Sequence, residues 1–397
     1  MKIVLFTSSF PFGNGETFVE NELSVISKYA EHVYLIPMNT YGSPRILDSS
    51  LNVTLINLES FETKTENGLL SALEKIIILL KEWKSGNTSI KNLRYDLRIL
   101  RNAEFRSSQL LNWIGHIQKS EFVFYSYWFD EWATVLAILK MKNYINSFIS
   151  RAHGYDLYFE RHSRKQIPMR NFQIKYVDYV YPVSKNGYDY LTSKFSQYKS
   201  KFDLSHLGTV DSGIGTEPKS NLIHVVSCSA VKKVKRVEII FDYVENTPGV
   251  YWTHLGGGDD FDELKSKVNN SSCKSRVTLK GNMSNVEVLE FLKKNSITCL
   301  INVSSSEGLP VSIMEAISFG IPVVATNVGG TSEIVNNKTG ILLPSSPHRI
   351  EIQQGVKEII QRVHEGSLNP KSIREFWMRH FNAEVAYKSF LAKVLTT

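Results

Sequence analysis

Two glutamates, Glu307 and Glu315, lie eight residues apart on either side of a loop that leads into a short predicted helix. The apolar, β-branched run 297–303 is typical of a buried parallel strand, and 311–319 predicts the helix. A helix N-terminus suits a phosphate or diphosphate, and a carboxylate can accept hydrogen bonds from two vicinal sugar hydroxyls. Open α/β sheets bind ligands at the carboxyl ends of their strands. These residues therefore indicate a site for a ligand with phosphate and polyol parts, such as a nucleotide sugar.

The segment 304–333 resembles the signature of the family 4 retaining glycosyltransferases. It contains S-x-S-E-G-L-P-V-S-x-M-E-A-x-S-x-G-x-P-V-V-A-T-x-V-G-G-x-x-E. The resemblance implies a GT-B fold, with two Rossmann-like α/β domains facing across a cleft, and it places Glu315 on the ribose and Glu307 on the sugar of the donor. Three further donor contacts are implied around the helix start: Gly308, Leu309 and Val311. The alternative is that Glu307 is a loop carboxylate and Glu315 a solvated helix residue.

A lysine-rich loop, 228–237, lies between another predicted strand and helix. A lysine at that point can reach a diphosphate from the carboxyl end of the sheet, and the resemblance makes Lys235 that lysine and gives it a catalytic role on the leaving diphosphate. Ala230 stands where the family usually carries an arginine, so binding would depend more on Lys235, Ser229 and the helix N-terminus. The alternative is a solvated basic turn. Two more residues resemble the loop under the nucleotide base: Gly281 and Asn282.

Two loops in the first half would complete such a site. The loop 10–17 follows the first predicted strand, and Gly13 and Gly15 would let its backbone approach a ligand closely. It resembles the family's loop beside the donor phosphates. His153 follows another apolar strand within R-A-H-G-Y-D, which resembles the family's His-Gly-x-Asp segment, and it would face the reacting sugar. Asp156 would orient the acceptor or neighbouring side chains. The alternatives are an ordinary turn and a structural histidine.

The pair Asp260 and Asp262 imitates the Asp-x-Asp motif that holds Mn²⁺ or Mg²⁺ in glycosyltransferases of a different fold. Here the pair follows three glycines and opens a predicted helix, where aspartate is favoured by capping and by the helix dipole. We therefore expect helix capping, no metal site and no cofactor. The charge of the leaving diphosphate would be met by Lys235 and backbone amides.

Length and pattern organise the chain into two domains. A length of 397 residues suggests two domains, and strands alternate with helices in both halves. We predict an acceptor-binding domain over 1–212 and a nucleotide-sugar-binding domain over 213–382, joined by a linker within 206–221. The last helix, 383–395, is predicted to cross back so that 383–397 pack on the first domain, as the resemblance implies.

The sequence also bears on cellular location. The cysteines are odd in number and have no C-x-x-C spacing, which indicates a reducing compartment: Cys228, Cys273 and Cys299. The N-terminus is too short and too quickly polar for a secretion signal, and no run of eighteen apolar residues exists. These features predict a cytoplasmic protein.

A basic amphipathic stretch within the mostly helical region 64–119 indicates contact with a membrane surface. Between residues 75 and 119 nine cationic residues face three acidic ones, and apolar residues recur among them at helical spacing. A second basic cluster follows His153: Arg161, Arg164, Lys165 and Arg170. Such a surface suits the inner face of an anionic membrane or a lipid-diphosphate acceptor. Each cluster could instead be a solvated helix face. No nucleic-acid signature accompanies them, so nucleic acid is not an expected partner.

Together these features predict a metal-independent, retaining glycosyltransferase. It would move a hexose-type sugar from a UDP- or GDP-linked donor to a lipid-linked glycan in the synthesis of a bacterial surface polysaccharide, such as a capsule or lipopolysaccharide. Two alternatives remain: a catalytically silent subunit that binds a nucleotide sugar or glycan, and a nucleotide-sugar epimerase of the same fold. A dehydrogenase is excluded because the turn after the first strand lacks G-x-G-x-x-G.

Overall fold

The computed structural model describes residues 1–13, 15–61, 68–115, 122–217 and 222–395. The chain divides into two compact units, one of residues 1–205 with the chain from 390 onward, and one of residues 206–389. The first unit ends before the boundary predicted at 212. Parts of four predictions lie outside the described residues: Asn14 in the loop 10–17, Lys119 in the basic stretch, the linker end 218–221 and the terminal residues 396–397.

The first unit contains a parallel sheet in the order β3-β2-β1-β4-β5-β6. Its strands are β1 (Lys2–Thr7), β2 (His32–Pro37), β3 (Val53–Leu55), β4 (Phe122–Ser126), β5 (Phe148–Ala152) and β6 (Tyr179–Pro182). Its helices are α1 (Val19–Tyr29), α2 (Ala72–Lys84), α3 (Leu93–Ile114), α4 (Glu131–Met141), α5 (Arg170–Tyr176) and α6 (Lys185–Lys194). The apolar side chains of β1 and β4 join a core that includes Trp132 of α4.

The second unit repeats this architecture, with a parallel sheet in the order β12-β11-β10-β7-β8-β9. Its strands are β7 (Ile223–Cys228), β8 (Val250–Leu255), β9 (Val277–Leu279), β10 (Cys299–Asn302), β11 (Val323–Thr326) and β12 (Gly340–Leu343). Its helices are α7 (Val237–Glu245), α8 (Phe261–Asn269), α9 (Asn285–Lys294), α10 (Val311–Ser318), α11 (Thr331–Ile334), α12 (Arg349–His364) and α13 (Pro370–His380). Every residue of β10 and β11 is buried, as expected for strands covered on both faces. The predicted class, two doubly wound α/β domains, is confirmed.

The last helix, α14 (Ala383–Leu395), has the bounds that the sequence predicted. It begins in the second unit, where the hydroxyl of Tyr387 lies 3.2 Å from the backbone oxygen of Gly208. Its end belongs to the first unit, where the Phe390 ring packs on Tyr125 and Tyr181, with centroid distances of 5.3 and 5.1 Å. The chain thus returns to the first unit through this helix.

Glycines fix the geometry around α10. Gly320 follows the helix with φ of +81°, the left-handed conformation that is common at helix C-terminal caps. Gly329 has φ of +54°, and a β-carbon there would lie 2.0 Å from the backbone oxygen of Glu307. A side chain at 329 would therefore push the loop of Glu307 away from the sheet. Within the described residues, no helix combines the length and apolar character needed to cross a bilayer.

Candidate functional site

The strand order creates a crevice in the second unit at the carboxyl ends of β7 and β10. These strands are neighbours in the sheet, and the chain leaves them toward opposite edges, which is the arrangement at which open α/β sheets bind ligands. The loop after β7 carries Lys235, and the loop after β10 carries Glu307. The sheet topology therefore brings together two residues that are 72 positions apart in sequence.

Lys235 and Glu307 form an ion pair at this point. The Lys235 Nζ lies 2.6 Å from Glu307 Oε1, and the Asn302 side-chain nitrogen donates to the same oxygen at 3.3 Å. The Glu307 side chain is 10% exposed and that of Lys235 is 26% exposed. Burial raises the pKa of Glu307. The charge of Lys235 and the hydrogen bonds that the Glu307 carboxylate accepts outweigh this effect and lower its pKa below the usual value. The pair is thus held in its charged form.

Arg236 links the loop after β7 to the loop after β10 through hydrogen bonds, and the sequence did not predict this role. It has φ of +50°, and its guanidinium donates to the backbone oxygens of Val303, Ser304 and Ser345 at 2.7, 3.0 and 2.7 Å. These contacts fix the loop that carries Lys235 against the loop that carries Glu307. An arginine following a lysine in a basic loop gave no signal that it would bind carbonyl groups rather than a phosphate.

Glu315 is buried on α10 and is 4% exposed. The side-chain amide of Asn285 donates to its Oε1 at 2.7 Å. Burial raises the pKa of Glu315 to about 7, although the hydrogen bond from Asn285 opposes the shift. The alternative of a solvated helix residue is therefore wrong. Burial and the nearby charge of Glu315 raise the pKa of the Cys228 thiol to about 12, so Cys228 is not a reactive thiolate.

The start of α10 faces the same loops without a capping side chain. Pro310 occupies the N-cap position, and its side chain makes no capping hydrogen bond. Gly308 accepts a hydrogen bond from Gly330 through its backbone oxygen at 2.8 Å, and Leu309 is buried at 5% exposure. Because the first N–H groups of a helix have no partner within it, the turn that begins at Val311 can bind an anion.

The loops after β7, β8 and β9 meet beside this crevice. The backbone N–H of Ser229 donates to Leu255 at 3.0 Å, and a β-carbon at Gly256 would lie 2.0 Å from the Ser229 oxygen. Gly281, with φ of +70°, accepts a hydrogen bond from the Gly256 N–H at 3.0 Å. Asn282 accepts one from the Gly257 N–H at 3.2 Å. The structure thus groups three predicted site residues: Ser229, Gly281 and Asn282.

The aspartates of the Asp-x-Asp sequence lie at the start of α8, as predicted. Asp260 occupies the N-cap position and Asp262 lies in the first turn, but the Asp260 side chain makes no capping hydrogen bond, so the predicted side-chain capping is wrong. In the part of the chain that the structure describes, no three His, Cys, Asp or Glu side chains are grouped as metal ligands would be. Metal independence itself stays a prediction.

The first unit has a corresponding crevice after β1 and β4, and Glu16 fills it. The Glu16 carboxylate accepts hydrogen bonds from the backbone N–H groups of Ser8, Ser9 and Phe10 at 3.1, 2.6 and 2.7 Å. The indole N–H of Trp128, after β4, donates to it at 2.5 Å. The predicted positions Gly13 and Gly15 lie in the same loop, and a β-carbon at either would contact nothing within 4 Å. No spacing rule indicated that Glu16 would fold back onto the strand end.

His153 lies after β5 among aromatic rings. Its ring centroid is 4.4 Å from that of Trp128, 4.9 Å from Tyr127 and 6.3 Å from Phe18, and the residue is 7% exposed. Asp156 accepts the backbone N–H of His153 at 2.8 Å, and its Oδ2 lies 3.5 Å from His153 Nδ1. Burial raises the pKa of Asp156, but the His153 side chain and the backbone donors lower the pKa overall. Asp156 thus orients the histidine.

One residue of the second predicted basic cluster is not on the surface. Arg170 is 1% exposed, its guanidinium lies 3.8 Å from the Phe129 ring centroid, and it donates to the Phe129 oxygen at 2.6 Å and to the Asp156 oxygen. The prediction that it contributes to a basic surface was wrong because its charge is used to hold the loop of Asp156. Arg164 stacks 3.8 Å from the Tyr95 ring centroid.

Part of the second unit is similar in sequence to known proteins. Residues 215–365 match the model of the family described as glycosyl transferases group 1. The GtfA subunit of the UDP-N-acetylglucosamine–peptide N-acetylglucosaminyltransferase of Streptococcus pneumoniae is 23% identical over 167 residues, covering 41% of this chain and 32% of that protein. The amylovoran biosynthesis glycosyltransferase AmsK of Erwinia amylovora is 28% identical over 153 residues, or 36% of each chain. The match thus spans about a third of each curated relative.

The fold comparison extends over the whole chain. The crystal structure of Alr3699/HepE of Anabaena in complex with UDP-glucose superposes with a TM-score of 0.65 at 13% identity and covers 100% of both chains. Such low identity establishes a shared fold and no more. The fold that the sequence resemblance implied is confirmed for both α/β units.

Proposed function

We propose that this chain, whose residues 215–365 form a glycosyl transferases group 1 domain, transfers a sugar from a nucleotide-sugar donor to a glycan acceptor. One observation carries the proposal: the Lys235–Glu307 ion pair lies in the loops before the uncapped start of α10, and Glu315 is buried about one turn into that helix. A cation and an open helix N-terminus suit a diphosphate, and two carboxylates suit hydroxyl groups. A donor with both parts matches this set.

Each residue has a distinct role in the proposed reaction. Lys235 and the N–H groups of the first turn at Val311 would stabilise the charge that develops on the leaving diphosphate. Glu307, freed in part from Lys235, would accept hydrogen bonds from the transferred sugar. Glu315 would bind the ribose. As in the family that the sequence resembles, the acceptor hydroxyl would attack the anomeric carbon on the face from which the diphosphate leaves. The leaving phosphate oxygen would take the hydroxyl proton, so that configuration is retained.

The identity of donor and acceptor is proposed from the relatives. HepE has been crystallised with UDP-glucose, and AmsK is named an amylovoran biosynthesis glycosyltransferase. We therefore propose a UDP- or GDP-linked hexose donor and a lipid-linked glycan acceptor, in the synthesis of a bacterial surface polysaccharide. We also propose that the protein acts at the cytoplasmic face of the membrane, without a metal. Ala230 keeps one alternative open, a silent binding subunit, because it removes a cation from the loop of Lys235.

Ligand-induced stabilisation tests the proposal directly. A ligand that binds only the folded protein raises its melting temperature, so the protein is heated with nucleotides and nucleotide sugars, each with and without EDTA. Stabilisation by UDP or GDP compounds that EDTA does not abolish would support the metal-free transferase. If only a divalent ion restored the shift, Asp260 and Asp262 would become candidate ligands. A protein that binds donor, yet neither hydrolyses nor transfers it with any glycan acceptor, would be the silent subunit.

His153→Ala tests the role of the first unit. We expect roughly a hundredfold slower transfer, because a side chain aimed at charge that develops in the transition state typically contributes about 10²- to 10³-fold in rate, and nearly unchanged donor affinity. The measurement is single-turnover transfer together with donor binding. His364→Ala, at an exposed position on α12, is the matched control. A His153→Ala variant with full activity would make this histidine structural.

A further inference from the structure

The outer surface of α2 and the turn that follows it concentrates exposed apolar side chains. Of the 21 large apolar residues that are exposed among the described ones, six lie within residues 73–90. Their exposed fractions range from 40% to 69%, and they are Leu73, Ile76, Ile77, Leu80, Trp83 and Ile90. Single exposed apolar residues are common, but a contiguous group is typical of an interaction surface.

Four of these side chains, those of Ile76, Leu80, Trp83 and Ile90, border an open notch between α2 and α3. The notch has a volume of about 450 Å³, and its lining includes Ile76, Leu80, Trp83, Ile90, Leu97 and Arg94. Ile76, Leu80 and Trp83 follow one another at helical spacing, so they form one stripe along α2. The notch is therefore part of the exposed apolar surface.

All three acidic residues between 75 and 115 turn inward. Glu82 is 1% exposed and accepts the Phe172 N–H at 2.7 Å. Asp96 is fully buried and accepts hydrogen bonds from Thr88 and Gln166. Glu104 is 6% exposed, accepts the Leu70 N–H at 2.7 Å and pairs with Lys75. No acidic charge of this segment therefore remains on its outer surface.

The cations of the same segment, apart from Lys75, remain outside. Six of them are exposed and form no ion pair with any residue that the structure describes: Lys81, Lys84, Lys91, Arg94, Arg98 and Arg101. Arg94, Arg98 and Arg101 lie at helical spacing on α3, and Arg94 lines the notch. The surface made by residues 73–101, called here the α2–α3 face, is thus apolar at its centre and mainly cationic around it, and its one partly exposed acid, Glu74, is paired with Lys142 at 2.7 Å.

We propose that the α2–α3 face docks on the surface of an anionic lipid bilayer. Apolar side chains and a tryptophan would enter the boundary between headgroups and acyl chains, while lysine and arginine would stay among the phosphates. A second copy of this chain does not fit, because a symmetric contact would place six cations opposite the same six cations. Nucleic acid would leave the apolar centre without a partner. The docking does not depend on the proposed transfer reaction.

Vesicle sedimentation of the purified full chain tests this surface, without nucleotide or acceptor. Binding is measured on phosphatidylcholine vesicles with and without phosphatidylglycerol. Arg94→Glu/Arg98→Glu and Ile76→Ser/Trp83→Ser should each weaken binding to the anionic vesicles at least about tenfold. The controls make the same kind of change at exposed residues elsewhere: Lys265→Glu/Lys274→Glu reverses the same number of charges, and Val286→Ser/Ile350→Ser removes exposed apolar side chains.

The outcomes separate docking from general attraction by a net charge of +7. If Lys265→Glu/Lys274→Glu weakened binding as much as Arg94→Glu/Arg98→Glu, the binding would be non-specific and the proposal would fail. Binding that survives Ile76→Ser/Trp83→Ser would also overturn it, as would a free dimer that this double variant dissociates. Quenching of Trp83 fluorescence by brominated lipid, lost in Trp83→Phe, would support insertion of this side chain. Transfer activity is not measured, so failure here leaves the proposed reaction untouched.

Discussion

The two units have the same strand order, yet they use the crevice at its centre differently. In the second unit the loops after β7 and β10 hold Lys235 against Glu307, a contact between two side chains. In the first unit the loops after β1 and β4 hold Glu16 with backbone N–H groups and the Trp128 indole. A side-chain pair can exchange its partner for a ligand by a change of rotamer. A carboxylate held by consecutive backbone N–H groups has no such freedom.

This difference assigns separate tasks to the two crevices. The second unit offers a lysine paired with a single carboxylate, an open helix start and a buried acid, which together suit a phosphorylated ligand. The first unit neutralises its own anion-binding position with Glu16 and surrounds His153 with aromatic rings. We therefore expect donor affinity to depend on the second unit, and geometry at the reacting sugar to depend on the first.

Glu315→Gln should have the largest effect and should act in two opposite directions. Loss of two charged hydrogen bonds to a ribose should weaken donor binding about a hundredfold. The unliganded variant should nevertheless be more stable, by on the order of 2 kcal/mol at pH 8, because burial raises the pKa of Glu315 to about 7 from an ordinary value of 4.5. The stability that wild type gains from the protonated carboxyl is complete below pH 4.5 and is lost as the pH rises through 7.

Donor titration and thermal unfolding between pH 4.5 and pH 8 measure both effects. Glu287→Gln is the control, because its capping-box hydrogen bonds lower the pKa of that exposed carboxyl and predict a change of stability of the opposite sign. Unchanged donor affinity in Glu315→Gln would remove this residue from the ribose site, whatever its effect on stability.

A double-mutant cycle on Lys235 and Glu307 should show the next largest effect. Lys235→Met leaves a nearly buried carboxylate without its cation, which should lower the free energy of unfolding by about 2 kcal/mol at pH 7. Glu307→Gln in the same chain should restore most of that loss. Because the pKa of Glu307 is lowered, the stabilisation by the pair is present above pH 4.5 and disappears as the pH falls through the folded-state pKa.

Urea unfolding of the four variants gives the coupling energy. The exposed pair of Lys267 and Glu263, 2.7 Å apart on α8, is the control and should show coupling near zero, since both side chains are solvated. Equal coupling in the two cycles would mean that Lys235 and Glu307 meet only as surface charges, and the contrast between the crevices would be lost.

Much of the second unit was predictable because its signals are local. The run from β10 through α10 to β11 follows from apolar periodicity, a proline and a capping glycine. Contacts between distant loops were not predictable. Arg236 has the same neighbours in sequence as the lysines beside it, yet it binds three carbonyl groups. The sequence around Arg170 likewise gave no sign that its side chain would be buried.

The first unit was harder to predict, since its crevice depends on backbone geometry. Glu16 adopts φ of +55°, uncommon for a residue with a side chain, and this turn returns its carboxylate to the end of β1. The glycines in the sequence indicate an adaptable loop. They do not indicate which carboxylate will accept hydrogen bonds from the backbone N–H groups of that loop.

Glu16→Gln should have the smallest effect and decides what the first crevice is for. The neutral amide keeps one accepting oxygen but turns N–H groups toward backbone donors, so the free energy of unfolding should fall by about 1 kcal/mol. Trp128 emission should change because its indole donates to Glu16, whereas donor affinity should stay the same. Glu20→Gln, at a surface pair with Arg45 in the same segment, should leave the emission unchanged. If Glu16→Gln instead bound inorganic diphosphate more tightly than wild type does, the first crevice would be a second phosphate site that Glu16 blocks. In that case the two units would not have separate tasks.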